Sequence, residues 1–318
     1  MQKVFSPLDR IQGGLIGAYI GESLHNQPLI PAFNYEATPR TTLLLQALQS
    51  QEDLPIAIAA RQQSESALLF VLLPEILTWP DHGERWQARL NFWLKKGLIS
   101  DLTRQEAIIW GEAVGLLLEG KRPLNQLMGQ LLTINPKNKL LEQIQSALGQ
   151  NHPLESILSA WAKEISPLGI AIAASLYTFL QTSEDFAVSV RRANSSPYQR
   201  QLTTTLAGIW AGLYNGIEGI PLAWRQNLPK EPVKQQLMDK AGEIYRISLG
   251  ISPHLVLSPH TAVAYGGTIP IPGAKNVRQA EENLGALGWS LDSGEIAELD
   301  KIAAGLDKKM VQNIFQTK

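Results

Sequence analysis

Between residues 51 and 181 apolar side chains recur at three- and four-residue steps, interrupted at Pro55, Pro74, the run Pro80-Asp81-His82-Gly83, Gly97, Pro123, Pro136, Pro153 and Pro167. That period belongs to amphipathic helices, and the interruptions are residues that end them. The stretch therefore predicts helices of ordinary length joined by short connections. Residues 8–24 predict another helix, with glycines at 13, 14, 17 and 21. Each would cost about 1 kcal/mol relative to alanine in a helix interior, so close packing at Gly17 and Gly21 is expected to offset it. Ala207-Gly208 and Ala211-Gly212 are small residues at the same spacing, in a helix that follows a polar loop, residues 194–201, and exits through Gly219-Ile220-Pro221 before Trp224. A helix packed on both sides needs such residues to let a neighbour approach. The helical register continues to Ser248, and Trp79, Trp86, Trp93, Trp110 and Trp161 are expected to pack between helices. The fold expected is mainly α, an orthogonal helical bundle.

After Ser248 the character changes. Residues 250–267 are rich in Pro, Gly and Ser and read as a linker. Beyond it, residues 268–271 are β-prone, Pro272-Gly273 is a turn, and Asn276 can cap a helix over 277–287. The domain plan is thus a helical domain over 1–249, a linker over 250–267 and a small strand-helix tail over 268–318.

Composition narrows the function. The net charge of −1 over 318 residues advertises neither nucleic acid nor an anionic membrane. With no cysteine there is no disulfide, thiolate metal site or cysteine nucleophile. The longest apolar run, residues 167–180, is too short to span a bilayer. Lys3 and Arg10 precede an apolar stretch, but glycines break it and Glu22 follows where a small-residue cleavage site would stand, so a cytoplasmic location is expected. His25, His82 and His152 each stand alone, and the common hydrolase, nucleotide and zinc motifs are missing.

The stretch 185–224 resembles the ADP-ribosylglycohydrolases, Mg-dependent hydrolases of all-helical fold. Asp185-Phe186, Ala187-Val188, Asn194, Ala207-Gly208, Gly212, Tyr214, Gly216, Ile220-Pro221 and Trp224 stand where that family has scaffold residues. The opening helix is similar too, with Arg10, Gly14, Gly17, Gly21 and Leu24 in place and Glu22 where the family has Asp. The metal-binding segments depart from the pattern. The family's Thr-Asp-Asp-Thr is Thr38-Pro39-Arg40-Thr41 here, and the two aspartates of its Gly-Gly-Asp-Ser/Thr-Asp fall on Gln199 and Gln201. Mg²⁺ takes hard, mostly anionic oxygens, so the resemblance implies a frame that has lost its metal ligands.

No catalytic residue and no metal ligand is assigned. Glu22, Thr38, Arg40, Thr41, Gln199, Arg200 and Gln201 are the candidate cleft residues of a non-catalytic relative that binds an ADP-ribose-like ligand or a protein partner. Arg40 and Arg200 would suit a phosphate, and Arg40 would put its charge where the family holds a divalent cation. Taken without the resemblance, Glu22 reads as a solvated glutamate on a packed helix and Arg40 as a solvated arginine after a Pro turn. Residual ADP-ribosyl hydrolysis is the alternative.

The tail, residues 268–318, resembles the end of an aldo-keto reductase: the last barrel strand, a helix whose start holds the adenosine phosphate of NADP, and a tail helix. By that resemblance Gly273, Ala274, Lys275, Asn276, Gln279, Glu282 and Asn283 would face NADP. A (β/α)₈ barrel takes about 250 residues, and nothing upstream offers its repeated strands or catalytic set. The expectation is an appended tail with no cofactor and no hydride transfer; a vestigial NADP site, or a fusion product without selected role, is the alternative.

Overall fold

The computed structural model describes residues 5–24, 39–49, 66–80, 82–120, 123–136, 138–150, 154–163, 165–226, 228 and 233–251. The chain divides into two units, Met1–Leu255 and Val256–Lys318, and every described residue lies in the first. Apart from Gly250 and Ile251, the expected linker lies outside the described residues, as does the whole strand-helix tail. Among the described residues there are thirteen α-helices, two short 3-10 turns and no strand, which matches the mainly α expectation. The helices are α1 (Pro7–Ser23), α2 (Pro39–Gln49), α3 (Ala67–Thr78), α4 (Gly83–Lys95), α5 (Asp101–Glu119), α6 (Leu127–Ile134), α7 (Lys139–Gln150), α8 (Leu154–Trp161), α9 (Pro167–Gln181), α10 (Phe186–Asn194), α11 (Arg200–Asn215), α12 (Leu222–Gln226) and α13 (Val233–Ser248).

The body is built on α1 and α11. α1 starts sharply because Pro7 occupies its first turn and Ser6 and Asp9 cap each other's backbone N–H groups, at 3.1 and 3.2 Å. Along its length Gly13 faces Gly212, Gly17 faces Gly208 and Gly21 faces Thr204. Four residues forward on one helix match four residues back on the other, so the two run antiparallel. A Cβ on Gly17 would overlap the carbonyl oxygen of Gly208, and one on Gly208 that of Gly17. The glycine spacing in the sequence therefore marks a backbone-to-backbone contact, tight enough to exclude even a methyl group.

Around this pair, α9 and α10 pack on α11, and α5 lies against both α9 and α11. Trp210 of α11 meets Trp110 of α5 edge to face at 6.5 Å and donates its indole N–H to Ser175 Oγ of α9 at 2.9 Å. Such a pair adds roughly 0.5–1.5 kcal/mol beyond the area it buries. Glu106 of α5 is buried and accepts from Ser166 Oγ at 2.6 Å, while that oxygen caps α9 by accepting from the Gly169 N–H at 2.9 Å.

Two expectations need correction. Pro74 does not end a helix, since α3 runs through it. An interior proline costs about 3 kcal/mol, and α3 offsets that by burying residues from every side, among them Leu69, Phe70, Leu72, Leu73, Ile76 and Leu77. Trp79, unlike Trp86, Trp93, Trp110 and Trp161, is only partly covered, and the Arg85 guanidinium stacks on it at 3.8 Å. No described helix is long and apolar enough to cross a membrane.

Candidate functional site

Glu22 lies in the last turn of α1, one residue beyond the glycine that abuts α11. It is 2% exposed, so the solvated reading fails. What offsets its burial is the start of α2. The first turn of a helix leaves backbone N–H groups without intrahelical acceptors and carries a partial positive charge. The Glu22 carboxylate accepts from the backbone N–H of Arg40 at 3.1 Å, the backbone N–H of Thr41 at 2.9 Å and Thr41 Oγ1 at 2.8 Å. Arg40 Nη1 adds a cation 3.7 Å from Glu22 Oε1, with its side chain 23% exposed. One helix thus caps another across 18 residues of sequence.

Tyr19, one turn earlier on α1, feels this arrangement. Burial, and secondarily the Glu22 carboxylate, push its phenol well above the ordinary tyrosine range, so it stays protonated at any physiological pH.

The loop between α10 and α11 forms the other part of the candidate site. Ser196 is buried, donates its hydroxyl to the Tyr198 carbonyl at 2.6 Å and accepts from the Tyr198 N–H at 3.3 Å. That turn delivers Gln199 in the left-handed region, at φ 45°, and among the described residues it is the only non-glycine there. Gln199 is also the N-cap of α11, and its side chain makes no capping bond. Arg200 is exposed and donates Nε to the Ser196 carbonyl at 3.3 Å, and Gln201 is half-buried. Thr204 Oγ1 ties the turn down by donating to the Arg200 carbonyl at 2.7 Å.

The structure brings Glu22, Arg40 and Thr41 into direct contact. It places Gln199, Arg200 and Gln201 at the same end of the α1–α11 pair, because Gly21 packs on Thr204 and Thr205, one turn into α11. Thr38 lies outside the described residues, as do Gly273, Ala274, Lys275, Asn276, Gln279, Glu282 and Asn283. Among the described residues no three His, Cys, Asp or Glu side chains are placed to hold a metal ion. The donor set also fits Mg²⁺ poorly: both Glu22 oxygens face hydrogen-bond donors and a guanidinium, and the two glutamines offer only neutral oxygens.

Sequence reasoning missed two features. Arg10, read only as a scaffold residue, is 8% exposed and donates Nη1 to the carbonyls of Leu117 at 3.2 Å and Leu213 at 3.1 Å. It thereby satisfies the carbonyl ends of α5 and α11, and burial lowers its pKa. The single cation of a glycine-rich helix was the available signal. A groove of about 450 Å³ between α7 and α8, lined by Gln143, Gln150, Ser156 and Trp161, left no such signal.

Comparison with known proteins bears on the fold. Residues 99–250 match the family described as ADP-ribosylglycohydrolase. A solved structure, an ADP-ribosylglycohydrolase-related protein complex, is similar over 76% of this chain and 99% of its own, with a TM-score of 0.52 and 17% identity, a likeness of fold. The chloroplastic pyridoxal reductase of Arabidopsis thaliana is 56% identical over 52 residues, 16% of this chain, and the chain spans 14% of that protein's length. The helical body is therefore of the ADP-ribosylglycohydrolase fold, and residues 99–250 match that family.

Proposed function

We propose that this chain is a non-catalytic relative of the ADP-ribosylglycohydrolases that binds a phosphate-bearing, ADP-ribose-like ligand without a metal. The observation that carries this reading is the state of Glu22: the acid in the family's position is buried and bonded to the start of α2 and to Arg40. A carboxylate so engaged is not free to ligate Mg²⁺ or to take a proton from water. Arg40, its side chain 23% exposed, and the exposed Arg200 stand at the α2 and α11 N-termini, and guanidinium groups suit phosphate oxygens. Isothermal titration of the full chain with ADP-ribose tests the reading. The expected isotherm is the same in EDTA and in MgCl₂ and weakens by about tenfold in Arg40→Ala, the loss of one charge-assisted contact. Mg-dependent hydrolysis of an ADP-ribosylated peptide would overturn it.

A second reading rests on the 52-residue likeness to pyridoxal reductase: the tail retains weak NADP binding through Lys275 and Asn276. Titration with NADP in which Lys275→Ala changes nothing would dispose of it.

A further inference from the structure

We infer that Arg40 is a built-in cation for Glu22, occupying from within the position that the resemblance gives to a divalent ion, so that this site takes no divalent metal. The inference deepens the reading of the same site. Glu22 is 2% exposed, and a carboxylate so far from water needs positive charge or hydrogen-bond donors around it. It receives both from one short segment: two backbone N–H groups and a hydroxyl within 3.1 Å, and the Arg40 guanidinium at 3.7 Å.

Each of these presents hydrogen or net positive charge to the carboxylate. A divalent ion approaching Glu22 would have to displace the N-terminal amides of α2 and share space with a guanidinium, both repulsive. Mg²⁺ would also give up some of its water for a single carboxylate, an exchange that one acid does not support. Arg40 and Thr41 are adjacent in sequence, so the amide, hydroxyl and guanidinium donors arrive together when α2 forms. Arg40 is accordingly a positioning residue: it holds Glu22 and the first turn of α2 in register, and does no chemistry itself.

Charge replacement in the full chain tests this, followed by thermal unfolding and by amide hydrogen exchange at residues 40 and 41. The wild-type midpoint is expected to be equal in EDTA and in MgCl₂ at matched ionic strength. Arg40→Lys retains exchange protection in the first turn of α2, whereas Arg40→Met accelerates exchange there by about tenfold. Arg40→Asp places a second carboxylate beside Glu22 and is destabilised in EDTA, with recovery in MgCl₂, a response that loss of packing alone would not give. A wild-type midpoint that rises with Mg²⁺ at matched ionic strength, or an Arg40→Met variant with wild-type exchange, would overturn the inference. If Arg40→Asp does not fold in either solution, the Lys and Met variants still decide. An absence of heat with ADP-ribose would remove the proposed ligand and leave these results standing.

Discussion

The two ends of α1 each bury an ion, and they solve the problem in opposite ways. At the N-terminal end the Arg10 cation sits against the carbonyl termini of α5 and α11, and at the C-terminal end the Glu22 anion sits against the amide terminus of α2. Both choices agree with the sign of the helix termini they face. The difference is in what else they need. The contacts of Arg10 are main-chain oxygens that any sequence would provide, so that end depends on the fold alone. Glu22 also uses the side chains of Arg40 and Thr41, so that end depends on particular side chains as well as on the fold.

The comparison can be broken first at Arg10. Arg10→Met leaves the buried carbonyls of Leu117 and Leu213 short of a donor, and denaturant unfolding should register a loss of about 3–5 kcal/mol, two buried acceptors left unsatisfied at about 1–3 kcal/mol each. A loss under 1 kcal/mol would show that those carbonyls are satisfied without it. The other end should give a smaller effect. Glu22→Gln keeps the shape and part of the cap, at a loss of about 1–3 kcal/mol, and removes the smaller, electrostatic part of the Tyr19 shift while burial keeps the phenol raised.

The Tyr19 shift also has a sign in pH. A phenol whose pKa is raised on folding holds its proton in the native state after the unfolded chain has lost it. Its contribution is complete below about pH 10 and declines as pH rises above that toward the native value. Alkaline unfolding followed by tyrosinate absorbance should show this limb in the wild type and a shallower one in Tyr19→Phe. An unchanged limb in that variant would assign the alkaline loss to another group.

How far the sequence could be read follows the same division. Close packing of α1 and of α11 was legible, because backbone-to-backbone contact demands glycine at fixed spacing, as at Gly17, Gly21, Gly208 and Gly212; that the two helices meet each other was not. The loss of the family's acids at Arg40, Gln199 and Gln201 was equally visible, residue by residue. The burial of Glu22 was not, since the groups that neutralise it are chiefly the N–H groups of a helix 18 residues away, and amides leave no mark in a sequence. Pro74 misled for a related reason. A local rule says that proline breaks helices, and the apolar surroundings of α3 on all sides override it. The left-handed Gln199 was also hidden, because glutamine is no marker of that backbone region.

The central claim is that the Glu22 end of α1 is neutralised from within. A crystal structure of the full chain grown with MnCl₂ and read by anomalous scattering tests it most directly. The account predicts Arg40 in ion-pair contact with Glu22 and no anomalous peak within coordinating distance of Glu22, Gln199 or Gln201. A manganese ion ligated by Glu22, with Arg40 swung away, would contradict it.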